Sequence, residues 1–264
     1  MEFTENADME APRGFQISFG ASIQKVFRFN DFSKIISIRR KKMRKISIFA
    51  IMLISAGVIS FSSQVFGQNG RKVLMIPREG YSADLDLMIK MEVGVMTWHL
   101  KRAGFEVDIA TTSGFPIIGP TQKCGKVMRL ADINLDNYAG TIMPCMAVGA
   151  FPGPPVSQEA IVLVKKALAD GKPVAASTFS VIILAEAGLL KGKKYAFFRD
   201  PLKTDENWKL TDLRFVGAIY SGAGVVQEGK IITSGACPVI EMGWGGENKT
   251  VELTKTFIAA IGPK

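Results

Sequence analysis

The chain has 264 residues, of which 47% are apolar and 22% charged, and this balance excludes a disordered or collagen-like polymer. Its formal net charge of +9 is typical of many nucleic-acid-binding proteins, but residues 1–67 hold ten Lys and Arg against five Asp and Glu, or +5 of that total. The remaining +4 is spread without a basic run interleaved with aromatic residues, so nucleic acid is excluded as a leading partner.

The N-terminal part has the pattern of an export signal. A basic run at residues 39–45 precedes an apolar segment at 46–61, which is shorter than the ~20 residues of a comfortable membrane span. We predict a signal peptide over 43–67 with cleavage after Gly67, preceded by a non-native or disordered extension over 1–42. The chain would then be periplasmic or secreted as one domain over 68–264. The alternative is an uncleaved signal anchor in the inner membrane.

Strand and helix patterns alternate beyond residue 67. This alternation predicts an α/β fold with a mainly parallel sheet covered on both faces, and a functional site at the carboxyl ends of the strands. Ser157 is expected to cap the second helix. The predicted strands are 72–76, 105–110, 138–144, 173–177, 194–198, 215–220 and 224–233, the last interrupted by a turn at 227–229. The predicted helices are 84–103, 157–169, 181–190 and 248–261, and the loops 111–126 and 149–155.

A few polar side chains near the predicted strand ends are candidate site residues. Glu92 lies among apolar positions of the first helix, where a carboxylate is either buried with a raised pKa or reaches solvent at the boundary. Spacing alone favours the boundary. Thr178 and Ser180 follow a strand, but no base adjoins them in sequence, so helix capping is the simpler expectation. His99, the single histidine, is expected to be a packed side chain.

The three cysteines are Cys124, Cys145 and Cys237. Cys145 and Cys237 both follow predicted strands and are expected at the same sheet edge. An odd number permits at most one internal disulfide in a single chain. Because no Cys-x-x-Cys or His-rich spacing occurs, the sequence indicates neither a metal site nor a cofactor.

Several motifs resemble the ThiJ/PfpI family, which includes the Parkinson-linked deglycase and the PfpI-type proteases. The most specific is Gly-Lys-Pro-Val-Ala-Ala at 171–176, continued by Leu-Ala-Glu-Ala-Gly-Leu-Leu-Lys-Gly at 184–192, which in the family frames a nucleophile elbow. Residues 72–76, 103–110 and 229–234 support the match. The resemblance implies a three-layer flavodoxin-like sandwich of the class I glutamine amidotransferase-like type, and a homodimer.

The motif departs from the family at the elbow itself. The family's Cys, His and Gly fall on Thr178, Phe179 and Ser180, and its Gly-Gly after an earlier strand reads Cys145-Met146. The family's helix glutamate aligns with Glu92. The resemblance therefore implies a pocket with candidate catalytic residues Glu92, Thr178 and Cys145, and with lining residues Cys237, Met146, Phe179, Ser180 and Glu79.

Three functions stay open at this point, in decreasing order of preference. The first is a non-catalytic member that binds a small molecule or a protein. The second is a thiol-dependent hydrolase, deglycase or glyoxalase-like lyase that uses Cys145 with Glu92 as its base. The third is a redox protein in which Cys145 and Cys237 form a disulfide.

Overall fold

A computed structural model describes residues 71–79, 85–145 and 156–262. The predicted extension and signal peptide, the loop over 149–155 and Met146 lie outside the described residues. Every described residue belongs to one compact unit, Ser63–Lys264. Among the described helices, none has the length and apolar character needed to cross a bilayer.

A seven-stranded sheet forms the centre of this unit. Its strands are β1 (Lys72–Met75), β2 (Glu106–Thr111), β5 (Met128–Arg129), β6 (Tyr138–Met143), β7 (Val174–Ser177), β10 (Val225–Glu228) and β11 (Ile231–Ser234). They lie in the order β10-β11-β7-β6-β1-β2-β5. Every pairing is parallel except the β10–β11 hairpin. Two small ladders join β3 (Ile117–Ile118) to β4 (Lys123–Cys124) and β8 (Lys194–Tyr195) to β9 (Ile219–Tyr220).

Helices cover both faces of this sheet. They are α1 (Leu85–Met88), α2 (Gly94–Arg102), α3 (Gln158–Ala169), α4 (Val181–Glu186), α5 (Pro238–Trp244) and α6 (Thr250–Ile261). A π-helical turn, Ile89–Val93, joins α1 to α2. Leu74 of β1 belongs to the core under α3 and α4, whereas its neighbour Val73 belongs to the core under α2 and α6. This alternation confirms the predicted three-layer α/β fold with a mainly parallel sheet.

Most predicted elements are present with shifted ends. Ser157 caps α3 as predicted, because its Oγ accepts a hydrogen bond from the Ala160 N–H at 3.2 Å. The helix predicted over 181–190 ends at Glu186, since Gly188 takes a φ of +71° that a continuing helix does not allow. The turn predicted at 227–229 lies further on, because β10 stays paired as far as Glu228.

The structure differs more from the prediction in the segment from 194 to 220 and at α5. The strand predicted over 194–198 has only two ladder residues, because Phe197 and Phe198 pack against each other with ring centroids 4.7 Å apart. The strand predicted over 215–220 begins with a 3-10 turn, Leu213–Phe215, and only Ile219–Tyr220 pairs. Helix α5 was not predicted at all.

Candidate functional site

Four of the predicted site residues meet at the carboxyl edge of the sheet. Cys145 follows β6, Thr178 follows β7 and Cys237 follows β11, while Glu92 lies on the π-helical turn. One carboxylate oxygen of Glu92 and the two sulfur atoms all lie within 4.8 Å of one another. We call Glu92, Cys145 and Cys237 the thiol cluster. Parallel strands bring their carboxyl ends to one edge, so residues distant in sequence converge here.

The turn after β7 has the backbone geometry of a nucleophile elbow. Thr178 has a φ of +49°, and within the described ranges no other residue except glycine has a positive φ. A β-branched residue in this region is strained by roughly 1–3 kcal/mol, so the surroundings must hold it there. Thr178 is fully buried, as is Ser180. The turn therefore has the strained backbone of an elbow and a threonine hydroxyl at its apex.

The predicted capping role of Ser180 is wrong. Its side chain makes no capping hydrogen bond to α4 and instead donates to the carbonyl oxygen of Pro144. This contact ties the turn after β7 to the end of β6, directly beside Cys145. Ser180 thus helps hold the two strand ends together.

Glu92 is completely buried, so the boundary position expected from its spacing is wrong. Its Oε1 accepts hydrogen bonds from the Cys145 N–H at 3.2 Å and from the Ser177 hydroxyl at 2.9 Å. Its Oε2, also buried, has no hydrogen-bond partner among the described residues. Burial raises the pKa of Glu92 to about 8 and the Cys237 charge adds to this, against the two hydrogen bonds and the charge of Arg78. The acid is therefore mostly neutral at pH 7.

Cys237 is the more acidic of the two clustered thiols. It is fully buried, yet its pKa is lowered to about 6. The largest cause is the hydrogen bond from the Cys145 thiol, joined by the Thr178 hydroxyl and the backbone N–H groups of Ile240 and Val239, and these outweigh burial. The sulfur of Cys237 is the atom in the site best prepared to carry a negative charge.

Cys145 has the opposite tendency. Its pKa lies well above the ordinary value because its thiol proton is held by the Cys237 sulfur, with burial and the charges of Cys237 and Glu92 adding to the effect. The Phe179 N–H acts against this rise. Cys145 is partly exposed, and all three cysteines of the chain are free thiols in the structure.

Of the remaining candidates, Phe179 meets the cluster through its backbone N–H, which faces Cys145, whereas Glu79 makes its hydrogen bonds on another loop. Glu79 accepts hydrogen bonds from the backbone and hydroxyl of Ser113, at 2.9 and 2.7 Å, on the loop after β2. The Phe179 ring packs against Phe198 with centroids 5.2 Å apart. Met146 is outside the described residues. His99 lies in α2, where it is partly exposed and its ring meets that of the exposed Trp98 edge-on, with centroids 4.6 Å apart.

Sequence reasoning missed the structural setting of Cys237. The missed helix α5 supplies two of the N–H groups that face its sulfur. Pro238 at the first helical position was an available signal, because proline is over-represented there. The segment before Cys237 packs closely against the backbone at Phe197. A Cβ added at Gly235 would lie 2.4 Å from the carbonyl carbon of Phe197, so only glycine fits at this position.

The fold and the elbow define a three-layer α/β protein with a site at the switch from strand to helix. The sequence matches the DJ-1/PfpI family over residues 72–242, and the chain belongs to this family. It is 27% identical over 195 residues to an uncharacterized protein of Methanocaldococcus jannaschii, covering 74% of this chain and 89% of the relative. It is also 27% identical over 164 residues to a protein of Thermococcus kodakarensis named a deglycase, covering 62% and 89%.

Solved structures agree with this assignment of the fold. A ThiJ/PfpI domain protein from Brachyspira murdochii superposes with a TM-score of 0.52 at 15% identity, covering 73% of this chain and 98% of that one. Drosophila melanogaster DJ-1beta superposes with a TM-score of 0.51 at 18% identity, covering 74% and 92%. At such identities the likeness shows the fold alone.

Proposed function

We propose that this chain is an exported DJ-1/PfpI domain that binds a ligand at its thiol cluster and has lost catalysis at the elbow. The observation that carries the proposal is Thr178, which occupies the strained elbow with a φ of +49°. Its hydroxyl lies 3.4 Å from the Ser177 hydroxyl and donates toward the Cys237 sulfur. Neither partner is basic enough to take a proton from an alcohol near neutral pH, so this hydroxyl is not an activated nucleophile.

The convergence of perturbed side chains supports a working pocket. A buried neutral acid, a buried acidic thiol and a partly exposed thiol rarely meet by packing alone, and such groups cluster at functional sites. The acid and the two thiols can contact a bound ligand without a nucleophile at the elbow.

A second candidate is a thiol-dependent hydrolase, deglycase or glyoxalase-like enzyme. It is favoured by the low pKa of Cys237 and by one relative that is named a deglycase. The sequence favoured Cys145 as the nucleophile, but the lowered pKa of Cys237 and the raised pKa of Cys145 favour Cys237. Glu92 then serves as a proton donor, because a carboxyl with a pKa near 8 is a poor base at pH 7.

An activity assay separates the two candidates. The reduced chain is incubated with a 2-oxoaldehyde and with a glycated peptide, beside Thr178→Ala, Cys237→Ser and the matched control Cys124→Ser. Binding without catalysis predicts no turnover by any of the four proteins. Turnover lost in Thr178→Ala overturns the proposal outright. Turnover that is lost in Cys237→Ser but kept in Thr178→Ala supports the thiol-dependent enzyme instead.

Export and assembly belong to the same proposal. The signal-peptide pattern supports a mature chain that begins at Gln68, and family resemblance supports a homodimer. N-terminal sequencing of the protein from a periplasmic fraction tests the first, and an intact cytoplasmic chain contradicts it. Sedimentation of the purified protein tests the second, with a monomer as the contradicting result.

A further inference from the structure

We propose that Glu92, Cys145 and Cys237 form a binding site for a thiophilic d10 metal ion, Zn²⁺ or Cu⁺. The inference rests on the proposed binding role of this pocket and names the chemistry of its ligand.

The donor atoms are close enough to share one ion. All three lie within 4.8 Å of one another, and the centre of a triangle with that side is about 2.8 Å from each corner. Zinc binds thiolate sulfur at about 2.3 Å and carboxylate oxygen at about 2.0–2.2 Å. An ion is therefore held after the donors close in by about 0.5–0.8 Å, a movement within reach of side-chain rotation.

The buried Oε2 of Glu92 points independently to a ligand. A buried carboxyl oxygen without a hydrogen bond is costly, and this one has no partner in the described part of the chain. Its sister Oε1 is already held by the Cys145 N–H and the Ser177 hydroxyl. In metal sites such contacts orient the ligating carboxylate, so the cluster already has an outer shell.

The donor set selects among metals. Two sulfur atoms and one oxygen suit soft or borderline ions, whereas Mg²⁺ and Ca²⁺ take oxygen ligands only. Both thiols and the Glu92 carboxyl must be ionised when the ion binds, so the protons that they still hold leave to solvent while the cation replaces them. Cys145 is partly exposed, whereas Glu92 and Cys237 are fully buried.

The three ligands are 53 and 92 residues apart in sequence, at positions 92, 145 and 237. That spacing explains why short Cys and His motifs predicted no metal. The third cysteine lies elsewhere: Cys124 is on β4, packed with the apolar residues under α2 and α6. It provides a natural control thiol in the same chain.

The test is metal binding by the full chain, reduced and stripped with a chelator. Zn²⁺ is titrated in competition with a chromophoric chelator, Cu⁺ is titrated anaerobically, and Co²⁺ serves as a spectroscopic probe of bound thiolate. We expect one ion per chain and a thiolate-to-cobalt charge-transfer band. Cys145→Ser and Cys237→Ser should each weaken binding by more than the roughly 10- to 100-fold cost of outer-shell changes, and Glu92→Gln should weaken it to a smaller extent. Cys124→Ser should bind as the wild type does.

Protection of the wild-type thiols gives a second measurement that needs no variant. Bound Zn²⁺ or Cu⁺ should slow alkylation of Cys145 and Cys237, read by peptide mass mapping, and leave Cys124 unchanged. No binding by the folded reduced chain, or equal loss in Cys124→Ser, overturns the metal site. That result overturns only the metal, and the proposed binding role then applies to an organic ligand. Turnover that depends on Thr178 overturns the non-catalytic role but does not affect the metal site.

Discussion

The elbow and the thiol cluster lie side by side at one edge of the sheet, yet they differ in chemistry. At the elbow, Thr178 has a strained backbone with a φ of +49° and carries a hydroxyl. The cluster brings two thiols and an acid within 4.8 Å of one another, from the ends of β6 and β11 and from the π-helical turn. The strained backbone and the ionisable groups of this site therefore belong to different residues.

The two regions also cost stability in different ways. At the elbow the cost is local backbone strain in a residue with a branched Cβ. In the cluster it is the burial of Glu92 and Cys237 away from water. Substitutions can therefore separate the two regions by the property that each one changes.

The largest expected difference is in metal affinity. Thr178→Ala removes an outer contact to the Cys237 sulfur, so its affinity for Zn²⁺ should fall by no more than roughly 10- to 100-fold. Cys237→Ser removes a ligand and should fall below the limit of the same chelator competition. Equal affinities in the two variants would show that the elbow and the cluster are not distinct in function.

The next effect is the pH dependence of stability in the reduced, metal-free chain. The raised pKa of Glu92 means that the folded state holds a proton that the unfolded state releases, so this residue lowers stability as pH rises from about 4.5 to about 8. The lowered pKa of Cys237 acts oppositely: its contribution is present above pH 9 and lost as pH falls through about 6. The two slopes oppose each other between pH 6 and 8, at about 1.4 kcal/mol per pH unit each.

Two substitutions isolate the contributions of Glu92 and Cys237 to the pH dependence of stability. Glu92→Gln should leave only the Cys237 slope, so stability rises from pH 6 to 9. Cys237→Ser should leave only the Glu92 slope, so stability falls from pH 5 to 8. Urea unfolding at pH 5, 6, 7 and 8 measures both, with Cys124→Ser as the matched control. Parallel curves for Glu92→Gln and the wild type would mean that Glu92 is ionised in the folded state.

The sequence predicted the layers of the fold and the strand ends that carry the site, because alternating patterns and the family motifs report on periodicity and order. Spacing alone favoured a boundary position for Glu92, which is buried, and only the family resemblance placed this residue in a pocket. Nor did it predict the acidity of Cys237, which arises from Cys145, Thr178 and two N–H groups of α5 brought together only by folding. Periodicity can be read from a local stretch of sequence, whereas contacts between residues that are distant in sequence cannot.

A smaller effect tests the strain at the elbow. Thr178→Gly and Thr178→Ala both delete the hydroxyl, but only glycine adopts a positive φ without a steric cost. The free energy of unfolding of the glycine variant should therefore be about 1 kcal/mol higher than that of the alanine variant. Gly188→Ala is the converse control, because Gly188 has a φ of +71° with nothing near its missing Cβ, and it should cost about 1 kcal/mol. Equal stability of the two Thr178 variants would contradict a strained elbow.

The smallest effect separates the hydroxyls on either side of Thr178. Ser177 donates to Glu92, whereas Ser180 donates to the Pro144 carbonyl, so each alanine substitution should cost about 1 kcal/mol of stability. Only Ser177→Ala should raise the pKa of Glu92 further, because its hydrogen bond favours the ionised acid. The carboxyl infrared band of Glu92, followed against pH with Glu92→Gln as the blank, measures this shift. If Ser180→Ala moves that band equally, the two strand ends act as one unit, and the separation of elbow from cluster fails.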